Sequence, residues 1–365
     1  MYKYNHGGNA TFEVGKNNII DLSANINPLG IPQSITDAII KEIPNSNNYP
    51  DNFSTQLRQQ IGVFENVNPD WIFCGNGASD IIFRLPRVVQ AKKALVTAPT
   101  FSDYQRSAES FGSQIVHYPL TALNNFAVTD EIIEFIKREN PDLVFICNPN
   151  NPTGKLTEVS IIEEILTCCE KLCAKVVVDE CFLDFAKLAN EYTSKIFLEK
   201  HSHLIVLKAF TKMFAIPGIR LGYALCTDRA LLENLYFHGP DWSVSTLAQA
   251  AGIAALQSAK AFIKETKESV SKERWRVENH LKHLGFKVFE ASANYVFFQS
   301  PYPFDLQKEL DKKGIRIRSC GNYQGLNDRY YRIAVSTKEN NTKVSNAIAE
   351  IMDSYLKFNY HWQDK

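Results

Sequence analysis

The chain lacks a net charge: forty basic and forty acidic residues cancel. A protein that binds nucleic acid through its phosphates carries a surplus of Lys and Arg, and there is neither a surplus nor a long run of like charge here. Long apolar runs are also missing, and no stretch approaches the roughly 18 residues that a membrane-crossing helix needs. The start, MYKYNHGGNATFEVG, has no apolar core of the kind a secretory signal carries, so a cytoplasmic location is expected. No internal repeat or low-complexity linker is visible, and no helix-turn-helix extension is seen, which speaks against a transcription regulator. Cysteine occurs eight times but in no metal-ligating spacing, and no Cys-His cluster offers a metal site. Cys168, Cys169 and Cys173 fall on one predicted helix and read as buried free thiols; Cys320, beside basic residues, is the one candidate for reactivity.

In bulk the sequence is ordinary for a soluble globular protein. Its 365 residues are 45% apolar and 22% charged, enough for a large core in two or three structural units. Residues 1–35 are rich in Gly, Asn and Pro and read as irregular. From Ser54 onward helical and strand patterns alternate. Helices are predicted near 54–64, 78–90, 102–112, 129–139 and 157–173, and strands near 94–98, 115–118, 143–147, 175–179, 204–208 and 221–226. This alternation predicts an α/β fold with a mainly parallel sheet covered by helices. A long helix follows over about 246–283. The remainder reads as strands 286–290 and 295–299, helix 304–313, strands 315–318 and 330–335, and helix 341–356, an α+β unit.

The stretch 205–223, IVLKAFTKMFAIPGIRLGY, carries the most chemical information. An apolar strand, Leu204 to Leu207, is followed by Thr211-Lys212, and Arg220 comes eight residues later. A lysine at the mouth of a strand can form an imine with an aldehyde cofactor, and a nearby arginine can hold that cofactor's phosphate. By itself such a lysine is more often a solvated surface residue. Three other segments change that reading. Gly75-Asn76-Gly77-Ala78-Ser79-Asp80 joins a short strand to a helix, a place where small residues let backbone N–H groups approach a phosphate. Asn148-Pro149-Asn150-Asn151-Pro152-Thr153-Gly154 is a rigid turn after the strand Leu143 to Cys147. Val176-Val177-Val178-Asp179 is a β-branched strand ending in an acid that can pair with a pyridinium nitrogen. Each candidate lies past the carboxyl end of a predicted strand, where open α/β sheets bind ligands.

Together the phosphate turn, NPTG, DE and TK…R motifs resemble the fold-type I pyridoxal-phosphate enzymes of the aminotransferase class I/II group, over nearly the whole chain. The resemblance implies an aspartate aminotransferase-like fold. A large domain with a mainly parallel seven-stranded sheet would span 36–250, and a small α+β domain 251–365, with residues 1–35 packing against the latter. It implies pyridoxal 5′-phosphate as cofactor, Lys212 and Asp179 as catalytic residues, and Asp179 facing the pyridine nitrogen. Asn151 would bond the phenolic oxygen. Gly77, Ala78, Ser79, Thr211 and Arg220 would surround the phosphate, and Phe101 would stack on the ring. Tyr49 would reach the cofactor of a neighbouring subunit, which implies a homodimer with shared active sites.

Further stretches narrow the resemblance: HGGN from His6, SANINPLG from Ser23, Trp242-Ser243, IRSCGNYQGL from Ile317 and YYRIAV from Tyr330. They resemble the threonine-phosphate decarboxylases of cobalamin biosynthesis, with histidinol-phosphate aminotransferases as the next relatives. The implied substrate is a small phosphorylated amino acid. His6, Asn25, Asn151, Arg318 and Arg332 would bind it, with the division of phosphate and carboxylate among them open. Arginine suits both anions, although a C-terminal arginine such as Arg318 also serves in exposed ion pairs. Phe182 stands in the cofactor site where the aminotransferases usually carry a tyrosine that bonds the phenolic oxygen, and the decarboxylase resemblance carries phenylalanine. One departure is Ala209, three residues before Lys212, where the family usually has a hydroxyl that contacts the phosphate. The missing bond is worth ~1–2 kcal/mol; either Lys208 or Thr211 makes up for it, or the cofactor is held less tightly.

Overall fold

The structure, a computed structural model, describes residues 7–8 and 19–363, with side chains through residue 357. Its centre is a seven-stranded sheet. The strands are β2 (Ile72–Gly75), β3 (Lys93–Ala98), β4 (Gln114–Pro119), β5 (Leu143–Cys147), β6 (Lys175–Asp179), β7 (Leu204–Ala209) and β8 (Gly222–Leu225). They lie in the order β2-β8-β7-β6-β5-β3-β4. β8 runs antiparallel to both β7 and β2, and the remaining pairs are parallel. β5, and β7 as far as Leu207, read as apolar runs because helices cover both faces of the sheet.

Successive side chains point to opposite faces, which divides the core in two. Val144, Ile146, Val176, Val178, Leu204 and Val206 join one cluster. Their alternates, Leu143, Phe145, Val177, Ile205 and Leu207, join the other. The first face is covered by α2 (Thr55–Glu65), α5 (Glu131–Glu139), α6 (Val159–Lys171) and part of α10 (Thr246–His283). The second is covered by α3 (Ala78–Val89), α4 (Ser102–Phe111) and α9 (Arg229–Phe237). Short helices α7 (Ala189–Tyr192) and α8 (Phe210–Met213) follow β6 and β7.

A second, antiparallel sheet has the order β12-β13-β10-β9, from β9 (Lys287–Phe289), β10 (Tyr295–Gln299), β12 (Arg318–Ser319) and β13 (Tyr330–Ala334). It is accompanied by α11 (Leu306–Asp311) and α12 (Lys338–Gln363). The early strand β1 (Ile20–Asp21) pairs in parallel with β11 (Ile315–Arg316). α10 has 38 residues and contacts α1 (Gln33–Glu42), α2 and α8, as well as β9, β10 and α12. It spans both units, and we propose the division between them within its first turns.

Some sequence expectations need correction. α1 and α9 form where no helix is predicted. The predicted strand 315–318 is two strands in two different sheets, broken at Ile317. Cys173 lies past the end of α6 with a left-handed φ of 56°. Among the described residues no helix is long and apolar enough to cross a membrane.

Candidate active site

A cavity of about 320 Å³ opens at the carboxyl ends of β5, β6 and β7. Lys212 enters it from α8, directly after the buried strand β7. The N-terminal segment holds that helix in place. Asn27 donates from its backbone N–H to the Lys212 carbonyl (3.2 Å) and from Nδ2 to the Met213 carbonyl (2.6 Å). Burial, then the charges of Arg332 and Arg220, push the Lys212 ammonium down to about 8. Its amine is therefore available as a nucleophile near neutral pH.

Asp179 ends β6 and is buried. Its carboxylate accepts the Tyr104 O–H at 2.6 Å and the Cys181 backbone N–H at 2.9 Å. Burial pushes this carboxyl up from its ordinary value, and the two hydrogen bonds oppose the rise. Tyr104 is stacked on Phe145, with ring centroids 5.0 Å apart. Phe101 meets Tyr104 edge-on and lines the same wall.

One end of the cavity is built for an anion. The turn after β2 delivers the start of α3, so the N–H groups of Ala78 and Ser79 belong to an uncapped first helical turn. Gly77 has φ 82°, and a Cβ there would stand 2.6 Å from Arg220 Nη2. The missing side chain lets the guanidinium lie over the turn. Gly222 plays the same part from β8, where a Cβ would come within 2.4 Å of the Ala78 nitrogen. Arg220 itself has φ 61°, in the left-handed region that residues other than glycine adopt uncommonly. Ser79 donates a long bond, 3.4 Å, to Asp103. Thr211 also lines the cavity.

The other end carries guanidinium groups from the second sheet. Arg332 and Arg318 are directly opposite each other on β13 and β12. Arg332 is buried; it donates through Nη1 to Asn151 Oδ1 and through Nη2 to the Ser23 carbonyl (2.7 Å). Its Nε and the Asn25 Oδ1 are buried with no hydrogen-bond partner. Arg318 donates to Asn322 Oδ1 at 2.8 Å and lies over the Tyr323 ring. Phe182 is buried in the wall, edge-on to Tyr295.

The structure thus brings the predicted residues Asn25, Phe101, Asn151, Phe182, Arg318 and Arg332 into one cavity with Lys212 and Asp179. Ala78, Ser79, Thr211 and Arg220 share it, with Gly77 beneath Arg220. His6 lies outside the described residues, although Gly7 lines the cavity. Tyr49 does not line it; it is exposed and stacked on Trp242 at 4.3 Å. Two possibilities that the sequence leaves open are closed by the structure. Lys208 does not replace the hydroxyl missing at Ala209, because strand alternation turns it to the opposite face, where it pairs with Glu65 at 3.0 Å. Cys320 is fully buried, and burial pushes its thiol up to about 11, which makes it inert. Tyr104, Asp103 and Tyr323 were not singled out in the sequence. Tyr104 could have been found from its helical i+3 spacing to Phe101.

A depressed amine, a buried acid, a flat aromatic wall and an N–H and guanidinium cradle fit a planar aldehyde that bears a phosphate and a ring nitrogen. The orphaned Arg332 Nε and Asn25 Oδ1 leave donor and acceptor capacity for a second ligand beside it.

Comparison with known proteins agrees with this geometry. The family model for aminotransferase class I and II matches residues 17–348. A threonine-phosphate decarboxylase from Salmonella typhimurium is 33% identical over 361 residues, 96% of this chain and 98% of its own length. The solved histidinol-phosphate aminotransferase from Clostridium acetobutylicum is 30% identical, with a TM-score of 0.86 over 92% of this chain and all of that one. The histidinol-phosphate aminotransferase from Sinorhizobium meliloti, solved in complex with pyridoxal-5′-phosphate, shares the fold at 21% identity and a TM-score of 0.84, over 95% of this chain and 94% of that one.

Proposed function

We propose that this chain, which belongs to the aminotransferase class I and II family, decarboxylates L-threonine O-3-phosphate to (R)-1-amino-2-propanol O-2-phosphate, a step of cobalamin biosynthesis. Its cofactor is pyridoxal 5′-phosphate, which when bound accepts the electron pair released from the substrate's Cα. Lys212 would hold the cofactor through its amine and, once freed, would be placed to carry a proton to Cα. Asp179, fixed by Tyr104 and Cys181, keeps the ring nitrogen protonated. The first turn of α3, Arg220 and Thr211 hold the cofactor phosphate. Phe101 covers the ring, and Asn151 is shared between the cofactor and Arg332. Arg332, Arg318, Asn25 and His6 would receive the two anionic groups of the substrate and orient its carboxylate for loss.

The observation that carries decarboxylation over transamination is Phe182. At this wall the ring offers no hydroxyl donor, and its edge contact with Tyr295 fills the space instead. The likeness to the Salmonella typhimurium decarboxylase supports the same choice. A second reading, transamination of histidinol phosphate, is favoured by the likeness to the Clostridium acetobutylicum enzyme.

The purified protein should be yellow, and borohydride should fix the cofactor to the peptide that contains Lys212. Threonine phosphate should then release CO2. Faster glutamate formation from histidinol phosphate and 2-oxoglutarate would select the second reading. Phe182→Tyr should lower the ratio of CO2 release to transamination; an unchanged ratio removes the argument from that position.

A further inference from the structure

A second cluster of ligating side chains lies at the opposite end of the sheet from Lys212. Glu170 is in the last turn of α6, and His201 and His203 flank Ser202 on the way into β7. Each offers one ligand atom, and these atoms all lie within 4.8 Å of one another. His201 is 2% exposed, yet neither ring nitrogen has a hydrogen-bond partner. Leaving buried polar atoms idle in this way costs about 1–3 kcal/mol each, so a native structure has reason to use them.

The spacing suits a bound ion. Glu170 Oε2 stands 3.5 Å from His201 Nδ1. Ligand bonds of about 2.0–2.1 Å around a tetrahedral Zn2+ put neighbouring ligands roughly 3.3–3.5 Å apart. His203 is oriented as metal-bound histidines are. Its Nε2 is 2.9 Å from the Leu166 carbonyl, which only accepts, so the neutral ring carries its proton on Nε2 and keeps the Nδ1 lone pair. Glu170 is exposed and gives an ion access from solvent. Two imidazoles and one carboxylate, with the remaining side toward water, select a borderline transition metal over Ca2+ or Mg2+.

We propose that Glu170, His201 and His203 form a Zn2+ site that fastens the end of α6 to the entry of β7. The sequence expectation of no metal site considered only Cys and His spacing, and this set is assembled from two elements. The site is structural: β7 separates it from Lys212 by six residues of strand, roughly 20 Å.

Zn2+ titrated into chelator-treated holoenzyme, followed by calorimetry, tests the proposal, with Co2+ as a coloured substitute. One ion per chain should bind and raise the Tm, with the cofactor's absorbance unchanged. Glu170→Gln, at an exposed helix end, should still fold and bind Zn2+ about tenfold or more weakly. His203→Gln keeps a donor for the Leu166 carbonyl and should lose the site. His201→Leu should also lose it, while its metal-free form unfolds at the same temperature as the wild type or higher. Absence of stoichiometric binding, which would leave Glu170 and His201 merely neighbours, overturns the proposal. So does binding that survives all three substitutions, or that displaces the cofactor.

Discussion

Lys212 is kept close to neutrality by its surroundings, and that has a cost in stability. Burial first, then Arg332 and Arg220, bring its ammonium from 10.5 to about 8. The folded protein therefore binds this proton less readily than the unfolded chain. Below a pH of about 8 the folded state carries the full penalty, and the penalty fades as the pH rises to 10.5, where the unfolded chain also loses the proton. In the cofactor-free protein Lys212→Met should add roughly 1–3 kcal/mol at pH 7, and most of the gain should be gone by a pH of about 10. Urea unfolding at both pH values measures it; a gain that does not change with pH would point to packing instead of charge. Tyr104 acts on the other side of the cavity. Tyr104→Phe removes the 2.6 Å bond to Asp179 and keeps the stack on Phe145. The Asp179 carboxyl should then rise further, moving the acid limb of the pH–rate profile upward and lowering kcat about tenfold. A profile that overlays the wild type would show that Asp179 does not depend on Tyr104.

Between elements, a buried charge network ties α2 to β7 and β8. Glu65 on α2 accepts Lys208 of β7 at 3.0 Å, Lys195 at 2.8 Å and the Tyr223 hydroxyl at 2.6 Å. Burial pushes Glu65 up, but Lys208 and Lys195 more than offset it and hold its carboxyl at about 2. Glu180, directly after β6, is pushed up to about 7 by burial, with Lys208 only partly opposing it. The two acids thus have opposite pH dependence. Glu65 contributes stability above pH 4.5 that is lost as the pH falls toward about 2. The burial cost of Glu180 appears as the pH rises from 4.5 through about 7. Glu65→Gln should cost about 3–5 kcal/mol at neutral pH, because it weakens the pairing of a buried ammonium, and the loss should shrink in acid. Glu180→Gln should compare better with the wild type at pH 8 than at pH 5. Parallel pH dependence in the two variants would dissolve the distinction. None of this network is legible in the sequence, where Lys208 reads as a neighbour of the cofactor. The central strands are legible because strands covered on both faces are built mostly of apolar residues. The 38-residue α10 is legible because its helical pattern is long. α9 was missed although Asp228 caps it by accepting the Leu231 N–H. The break at Ile317 was missed because one residue suffices to move a strand between sheets, and local pattern does not record that.

At the scale of the whole molecule, the candidate site was legible to the extent that each motif sits at a strand end. The fold then brings those ends to one cavity, and β13 adds Arg332 from the second sheet. Tyr49 is the residue that this single chain does not account for. It is 79% exposed and stacked on Trp242, and Asn52 accepts the Trp242 backbone N–H at 2.7 Å, so an aromatic pair is held rigidly toward solvent. Phe53 and Phe237 are exposed in the same two chain segments. Apolar surface of this kind is characteristic of an interface, and in a twofold dimer any reach of one Tyr49 to the partner's site would be matched by the reverse contact. Subunit mixing tests this without any assumption about substrate. Tyr49→Ala and Lys212→Ala should each be nearly inactive alone. Unfolded and refolded together, they form mixed dimers in which one of the two cavities has both an intact Lys212 and an intact Tyr49 from across the interface. Random pairing makes half the dimers mixed, so activity should return to about a quarter of the wild type. If the mixture stays at the level of its components while sedimentation shows dimers, Tyr49 serves its own subunit or none, and the shared site is wrong. If sedimentation shows only monomers with full activity, the cavity is complete within one chain.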